Sequence, residues 1–234
     1  MTPLVTLAFG FVLGLQHALD SDHLIAVSTI VTRERSVWSA LAAGLSWGIG
    51  HTVTLLFVGL LVLALKLQIP AAVESSLECC VGVMLVALGL ATLYDGWRKK
   101  VHIHGHVHGG EIHTHFHTHA ATPTHRHLHP LRLGVRPFLV GMVHGLAGSA
   151  ALMLLVLASL PSVSLGMMYI GLFSCGAILG MGVVSLLLGL FVAWTARRLH
   201  RVQQGLRCTV GLVSTVFGAW IVIEIGVTGG LFFG

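Results

Sequence analysis

Residues 4–31 read LVTLAFGFVLGLQHALDSDHLIAVSTIV, an apolar run long enough to cross a bilayer as a helix, interrupted by His17, Asp20, Asp22 and His23. Lipid-exposed helices put Leu and Val at such positions. An ionisable residue at membrane depth costs about 2.5–3.5 kcal/mol even on lenient insertion scales. Four of them within seven positions are therefore poorly explained as packing. Two imidazoles and two carboxylates are a ligand set for a divalent transition metal.

The rest of the chain fits the same environment. Charged residues make up 9% of the 234, hydrophobic ones 55%, and the mean hydropathy is +0.91. Such a composition excludes a soluble domain and indicates an all-α polytopic membrane protein, because lipid forces backbone polar groups to pair internally. The alternation of a membrane β-barrel is absent. The start, Met-Thr-Pro-Leu-Val, lacks a basic n-region, so the first apolar run is expected to be retained as a span. Cys79, Cys80, Cys175 and Cys208 form no C-x-x-C pair and read as small buried hydrophobes.

Six spans are expected, at about 4–31, 37–65, 77–97, 132–160, 164–195 and 206–228. Arg33 and Arg35 lie in the first loop. Arg98, Lys99, Lys100, Arg126, Arg132 and Arg136 lie in or beside the third, and Arg197, Arg198, Arg201 and Arg207 in or beside the fifth. Only Lys66 falls on the other side. The positive-inside rule makes loops one, three and five cytoplasmic and leaves both termini outside. The basic balance thus reports orientation in a plasma (inner) membrane, not nucleic-acid binding.

The two halves resemble each other. Phe11-Val-Leu-Gly-Leu-Gln-His-Ala-Leu19 aligns with Phe138-Leu-Val-Gly-Met-Val-His-Gly-Leu146. Gly50 and Gly59 match Gly180 and Gly189 at a similar offset, and Cys79, Gly82 and Gly89 match Cys208, Gly211 and Gly218. Three spans per repeat is an odd number, so the second half is expected to be inverted, as in many secondary transporters with a midplane site. Residues 1–97 form the first repeat, 98–131 a cytoplasmic loop, and 132–234 the second repeat.

His17, His51 and His144 fall near the centres of three different spans and can converge. At 100° per residue His17, Asp20 and His23 share an arc of about 120°, while Asp22 points elsewhere. Asp22 joins the site only if the helix is distorted there; otherwise it orients a ligand or faces another helix. Gly48, Gly50, Gly145 and Gly148 permit close helix approach or local unwinding. The absence of Cys or Met from residues 17–23 argues against a Cu(I) site. Imidazole with carboxylate suits Ni, Co, Zn or Fe.

His17-x4-Asp22-His23 resembles the His-x4-Asp-His signature of the nickel/cobalt transporter family. Trp47-Gly-Ile-Gly-His-Thr52 resembles that family's Gly-His-Ser/Thr signature on the next helix. His144-Gly-Leu-Ala-Gly-Ser-Ala-Ala151 and Gly176-Ala-Ile-Leu-Gly-Met-Gly182 resemble its shorter, UreH-type branch. The resemblance covers nearly all the membrane part. It implies uptake of Ni(II) or Co(II) as transported substrate, with His17, Asp22, His23 and His51 as the residues carried over. The second half departs from the first: Asp22 aligns with Ser149 and His23 with Ala150.

The loop holds His102, His104, His106, His108, His113, His115, His117, His119, His125, His127 and His129, eleven of the chain's 16 histidines. Few apolar residues and frequent Gly, Thr and Pro argue against a packed fold there. Such a tract binds divalent metals, as buffer, handover site or sensor, or is a linker with incidental affinity. Glu74 and Glu78 near the outer start of span three either attract cations or mark a solvated helix end. Asp95 lies close to Arg98, and Glu224 toward the outer end of span six.

The expected protein is a metal permease and not an enzyme. Its partners are a divalent metal ion, the lipid bilayer and cytoplasmic metallochaperones for nickel enzymes. It holds no permanent cofactor. Its metal residues are His17, Asp20, Asp22, His23, His51 and His144. Three rivals remain open from sequence: an exporter, a metal-binding accessory protein without transport, and a membrane enzyme or haem protein. The last finds no H-E-x-x-H motif in its favour.

Overall fold

A computed structural model describes residues 3–34, 36–65, 70–98, 102–108, 111–117, 130–146, 162–198 and 200–229. Helix α1 (Pro3–His17) and helix α2 (Ser21–Val31) replace the single span expected at 4–31, and a 53° bend separates them. Helix α3 (Val37–Leu65) occupies the expected range. Helix α4 (Ala71–Arg98) begins earlier than expected, directly after Pro70, whose fixed φ suits a helix start. It therefore takes Glu74 and Glu78 into its first turns.

Helix α5 (Pro130–His144) carries the start of the fourth expected span. Residues 147–161, with Gly148, lie outside the described residues. Helix α6 (Val163–Arg198) and helix α7 (His200–Ile223) follow, and α7 ends in a π-helical turn, Glu224–Thr228. By length and composition four helices can cross a membrane, and a fifth span arises if α1 and α2 count as one. The 15-residue α5 is too short by itself, so six spans are not counted among the described residues.

The histidine-rich insert, expected to form no packed fold, carries a two-stranded ribbon. Strands β1 (His102–His108) and β2 (Glu111–His117) pair antiparallel. Histidine at alternate positions, with Ile, Val, Thr and Phe between, has the two-residue period and β propensity of a strand. The register sets His102 opposite His117, His104 opposite His115 and His106 opposite His113.

Glycine decides how the helices meet. A Cβ added at Gly14 would lie 2.0 Å from the Phe173 carbonyl oxygen, and one at Gly141 the same distance from that of Trp47. Gly176 meets the Phe11 carbonyl at 2.2 Å, and Gly50 that of Phe138 at 2.1 Å. Helix α1 thus runs against α6, and α5 against α3, backbone to backbone. Gly82 faces Gly218 and Gly89 faces Gly211, which pairs α4 with α7 in antiparallel sense. Without a hydrophobic force between helices in lipid, such close approach supplies the packing.

Trp47, Leu55, Leu85, Tyr169, Ile170 and Met181 are fully buried between these pairs. Leu4, Phe57, Leu90, Leu187, Phe191 and Leu212 face outward, as lipid contact requires. Trp38, Trp97 and Trp194 are exposed at the ends of α3, α4 and α6 that lie with the arginines, an interfacial position. Arg33 donates to the Asp95 carboxylate through Nε at 3.0 Å and through Nη2, and Arg207 donates to the Thr32 carbonyl at 2.9 Å. Arg33, from the first loop, thus supplies an ion pair to Asp95. The cysteines are free, and they are exposed or, for Cys79, half-buried, not buried as expected. They sit on outward faces, where an apolar thiol is tolerated by lipid.

Candidate metal centre

The site forms where the first span breaks. After His17 the chain turns tightly, with Leu19 N–H donating to the Gln16 carbonyl at 2.8 Å and Asp20 N–H to that of His17 at 3.1 Å. Asp20 is extended, at φ −60° and ψ 147°, and occupies the cap position of α2. Asp-Ser-Asp is a helix-start composition. The Asp20 carboxylate makes no cap bond, however. It accepts instead from His17 Nδ1–H at 2.7 Å. That bond fixes the His17 tautomer and leaves its buried Nε2 without a protein partner.

The bend is the distortion that Asp22 needed to join the site. Asp22, which an unbroken helix would aim elsewhere, turns into the site. Its Oδ1 lies 3.2 Å from His23 Nδ1 and its Oδ2 3.2 Å from His144 Nε2. Asp20, expected on the ligand face, belongs to neither ligand group; half of it is exposed, and it acts on His17 alone. His23 is central. Its ring centroid is 4.4 Å from that of His17, 4.5 Å from that of His144 and 5.4 Å from that of His51.

Two groups of ligand atoms result, His17 with His23 and His51, and Asp22 with His23 and His144. Within each, the atoms lie within 4.8 Å of one another. Ligands on one tetrahedral ion are about 3.4 Å apart at metal–nitrogen distances of about 2.0–2.1 Å, so side-chain rotation of about an ångström closes either group. His23 is common to both. Its Nδ1 is held by Asp22, and its Nε2 is buried without a partner.

His51 lies at the middle of the 29-residue α3, fully buried, with neither ring nitrogen partnered. His144 Nδ1 is likewise unpartnered. A buried polar atom left unpaired costs about 1–3 kcal/mol. Five such imidazole nitrogens in one place are costly as structure alone and suited to accepting a metal.

Close helix approach delivers these rings. A Cβ at Gly145 would lie 2.5 Å from the His51 carbonyl, and Gly141 is tighter still on Trp47, so α5 brings His144 against α3. Gly14 does the same for His17 against α6. Gly48 approaches Ile178 at 3.0 Å. Trp47 was not singled out from sequence as a site residue. Its ring lies 5.2 Å from His23 and 5.5 Å from His144, and Phe173 lies 5.4 Å from His17. These aromatic rings flank the imidazoles. The eleven loop histidines lie in the ribbon or outside the described residues, and none belongs to the ligand groups found among the described residues.

Apolar helices around a buried histidine–aspartate group define a multi-pass helical membrane protein. No protein-family model matches the chain, and no solved structure is significantly similar to it. Curated proteins do match. The chain is 38% identical to the urease accessory protein UreH of Bacillus sp. (strain TB-90) over 232 residues, 97% of this chain and 94% of that protein. It belongs to the UreH family, the branch its own motifs resemble. It is also 27% and 28% identical to the chloroplast proteins FOR GROWTH AND FERTILITY 2 and 1 of Arabidopsis thaliana. Each match covers 92% of this chain but only 55% and 58% of those longer proteins.

Proposed function

We propose that this protein carries a divalent transition-metal ion, Ni(II) or Co(II), inward across the plasma membrane through the His/Asp centre. The observation that carries this reading is the break at residues 18–20, which gathers His17, Asp22, His23, His51 and His144 in an apolar interior. Kinship with a urease accessory protein favours nickel over cobalt. A hydrated ion loses water to imidazole, and Asp22 balances part of its charge. His17 is pre-oriented by Asp20.

The six-span, inverted-repeat arrangement with both termini outside belongs to the same proposal. It is supported by the reciprocity of the helix contacts. Exchange of the halves converts Gly14 on Phe173 into Gly141 on Trp47, and Gly176 on Phe11 into Gly50 on Phe138. The partner of Gly50 under this exchange is Gly176, one helical turn before the Gly180 matched by sequence. Rocking of one half against the other then turns the centre from one face to the other. The loop histidines, 102 to 129, take up the ion on the cytoplasmic side and offer it to metallochaperones.

The test is initial-rate Ni(II) accumulation in cells lacking their own nickel carriers. Wild type is compared with His23→Ala and His51→Ala at matched expression. Higher accumulation with wild type alone is expected. Wild-type flux retained in either variant refutes the centre. Accumulation below that of empty cells makes the protein an exporter. Tight binding with inert proteoliposomes makes it an accessory protein without transport.

A further inference from the structure

A cavity of about 590 Å³ opens beside the break in the first span. Its wall includes Ser21 and Asp22 from the start of α2, Ser75 and Glu78 from α4, and Trp220 and Glu224 from the end of α7. Three separate elements thus bring carboxylates to one chamber, and none of the lining residues among the described ones is basic.

Its place in the fold gives the chamber a direction. Glu78 and Asp95 are 17 residues apart on the unbroken α4, about 25 Å along the axis. Asp95 pairs with Arg33, and Arg207 lies nearby on Thr32. The chamber is therefore at the end of the bundle opposite to the arginines, the outer end under the positive-inside rule.

Asp22 connects the chamber with the metal centre. It lines the cavity, its side chain is 30% exposed, and its two oxygens rest on His23 and His144. Those imidazoles are 2% and 1% exposed, and behind Asp22 each keeps a buried ring nitrogen without a partner. Among the described residues, Asp22 alone belongs to both the wall and the ligand groups.

The size fits a hydrated ion. Six waters take about 180 Å³ at about 30 Å³ each, so an octahedral aqua ion enters with its shell intact. The wall turn Glu224–Thr228 is π-helical, an irregularity frequent at functional sites.

We propose that this chamber is the outer vestibule of the transport path, and that Glu78 gathers the hydrated divalent cation and passes it to Asp22. The inference rests on the transport reading above. In the vestibule the cation keeps its waters, and Glu78 acts through charge. Asp22 is the first group to replace water, and the imidazoles follow.

Two measurements on the full chain test the vestibule, both by Ni(II) uptake. First, Glu78→Gln is expected to raise KM roughly tenfold at low ionic strength while Vmax changes by less than twofold, and added salt is expected to shrink the difference. Glu78→Asp is expected to restore most of the loss. Second, Ser75→Cys is treated from outside with a negatively charged, membrane-impermeant methanethiosulfonate, with the unsubstituted chain as control because it carries four native cysteines. Uptake is expected to be blocked only in the variant, and Ni(II) to slow the block. An unchanged KM in Glu78→Gln overturns the proposal, as does full flux through labelled Ser75→Cys or labelling only from inside. Absence of wild-type uptake, or normal uptake by His23→Ala, refutes instead the transport centre.

Discussion

Gly141→Ala tests whether helix proximity builds the metal centre. The new Cβ would lie 2.0 Å from the Trp47 carbonyl oxygen and 2.7 Å from Trp47 Cδ1. Ordinary contact begins at 3.4 Å, so α5 must retreat from α3 by about 1.4 Å. The obstacle is backbone, and no rotamer change relieves it. Retreat draws His144 Nε2 from its 3.2 Å contact with Asp22 to well beyond hydrogen-bond range. Overpacking of this kind costs about 1–3 kcal/mol, against about 1 kcal/mol gained from helix propensity. A displacement of about 1 Å at a positioned group lowers rate about a hundredfold, and a Ni(II) flux ten- to a hundredfold lower is expected. Gly171→Ala is the control, because a Cβ there meets nothing within 4 Å. It is expected to keep full flux and to melt no lower than wild type. The assays are initial-rate uptake at matched expression and thermal unfolding in detergent. Wild-type flux and Tm in Gly141→Ala, or equal damage from Gly171→Ala, would refute the reasoning.

Asp22→Asn is expected to lose far more flux than Asp20→Asn, since Asp22 touches two imidazoles and Asp20 only orients His17; equal losses in uptake kinetics would contradict these roles. Deletion of residues 102–129 is expected to leave flux while shifting its apparent affinity or regulation, and complete loss would put the ribbon in the path. Asp95→Asn removes the ion pair with Arg33, whose partners are 31% and 39% exposed. Its expected cost is below about 1 kcal/mol with flux retained, read from Tm and uptake.

Much of the centre was legible because its residues are so badly placed for lipid. His17, His23, His51 and His144 stood out in apolar runs, and the structure brings all four together. The break was harder to read. No Gly or Pro marks residues 18–20, and the hydrophobic pattern continues across them. The available signal was Asp20-Ser21-Asp22, a cap composition hidden by its apparent role as ligands. With the break unread, Asp20 was placed on the ligand face and Asp22 joined it only on condition of a distortion. Glu78 was legible as an acidic residue in an apolar span, but its chamber depends on α2, α4 and the end of α7 meeting in space. The hairpin was obscured because polar composition outweighed its alternation. The cysteines were assigned inward because apolar residues usually are, a rule that inverts at a lipid-facing surface.

The interrupted first span also sets the field at the centre. Aligned peptide dipoles leave about half a negative charge at the end of α1, where His17 sits, and about half a positive charge at the start of α2, where Asp22 sits. A cation between them is drawn by one helix end and pushed by the other. Asp22, in the first turn of α2, offsets the push. An unbroken helix would present neither pole at mid-membrane. Under the transport proposal an ion at this break would meet a shallow well, held firmly enough to shed water and loosely enough to move on, which is what conduction demands of any intermediate stop.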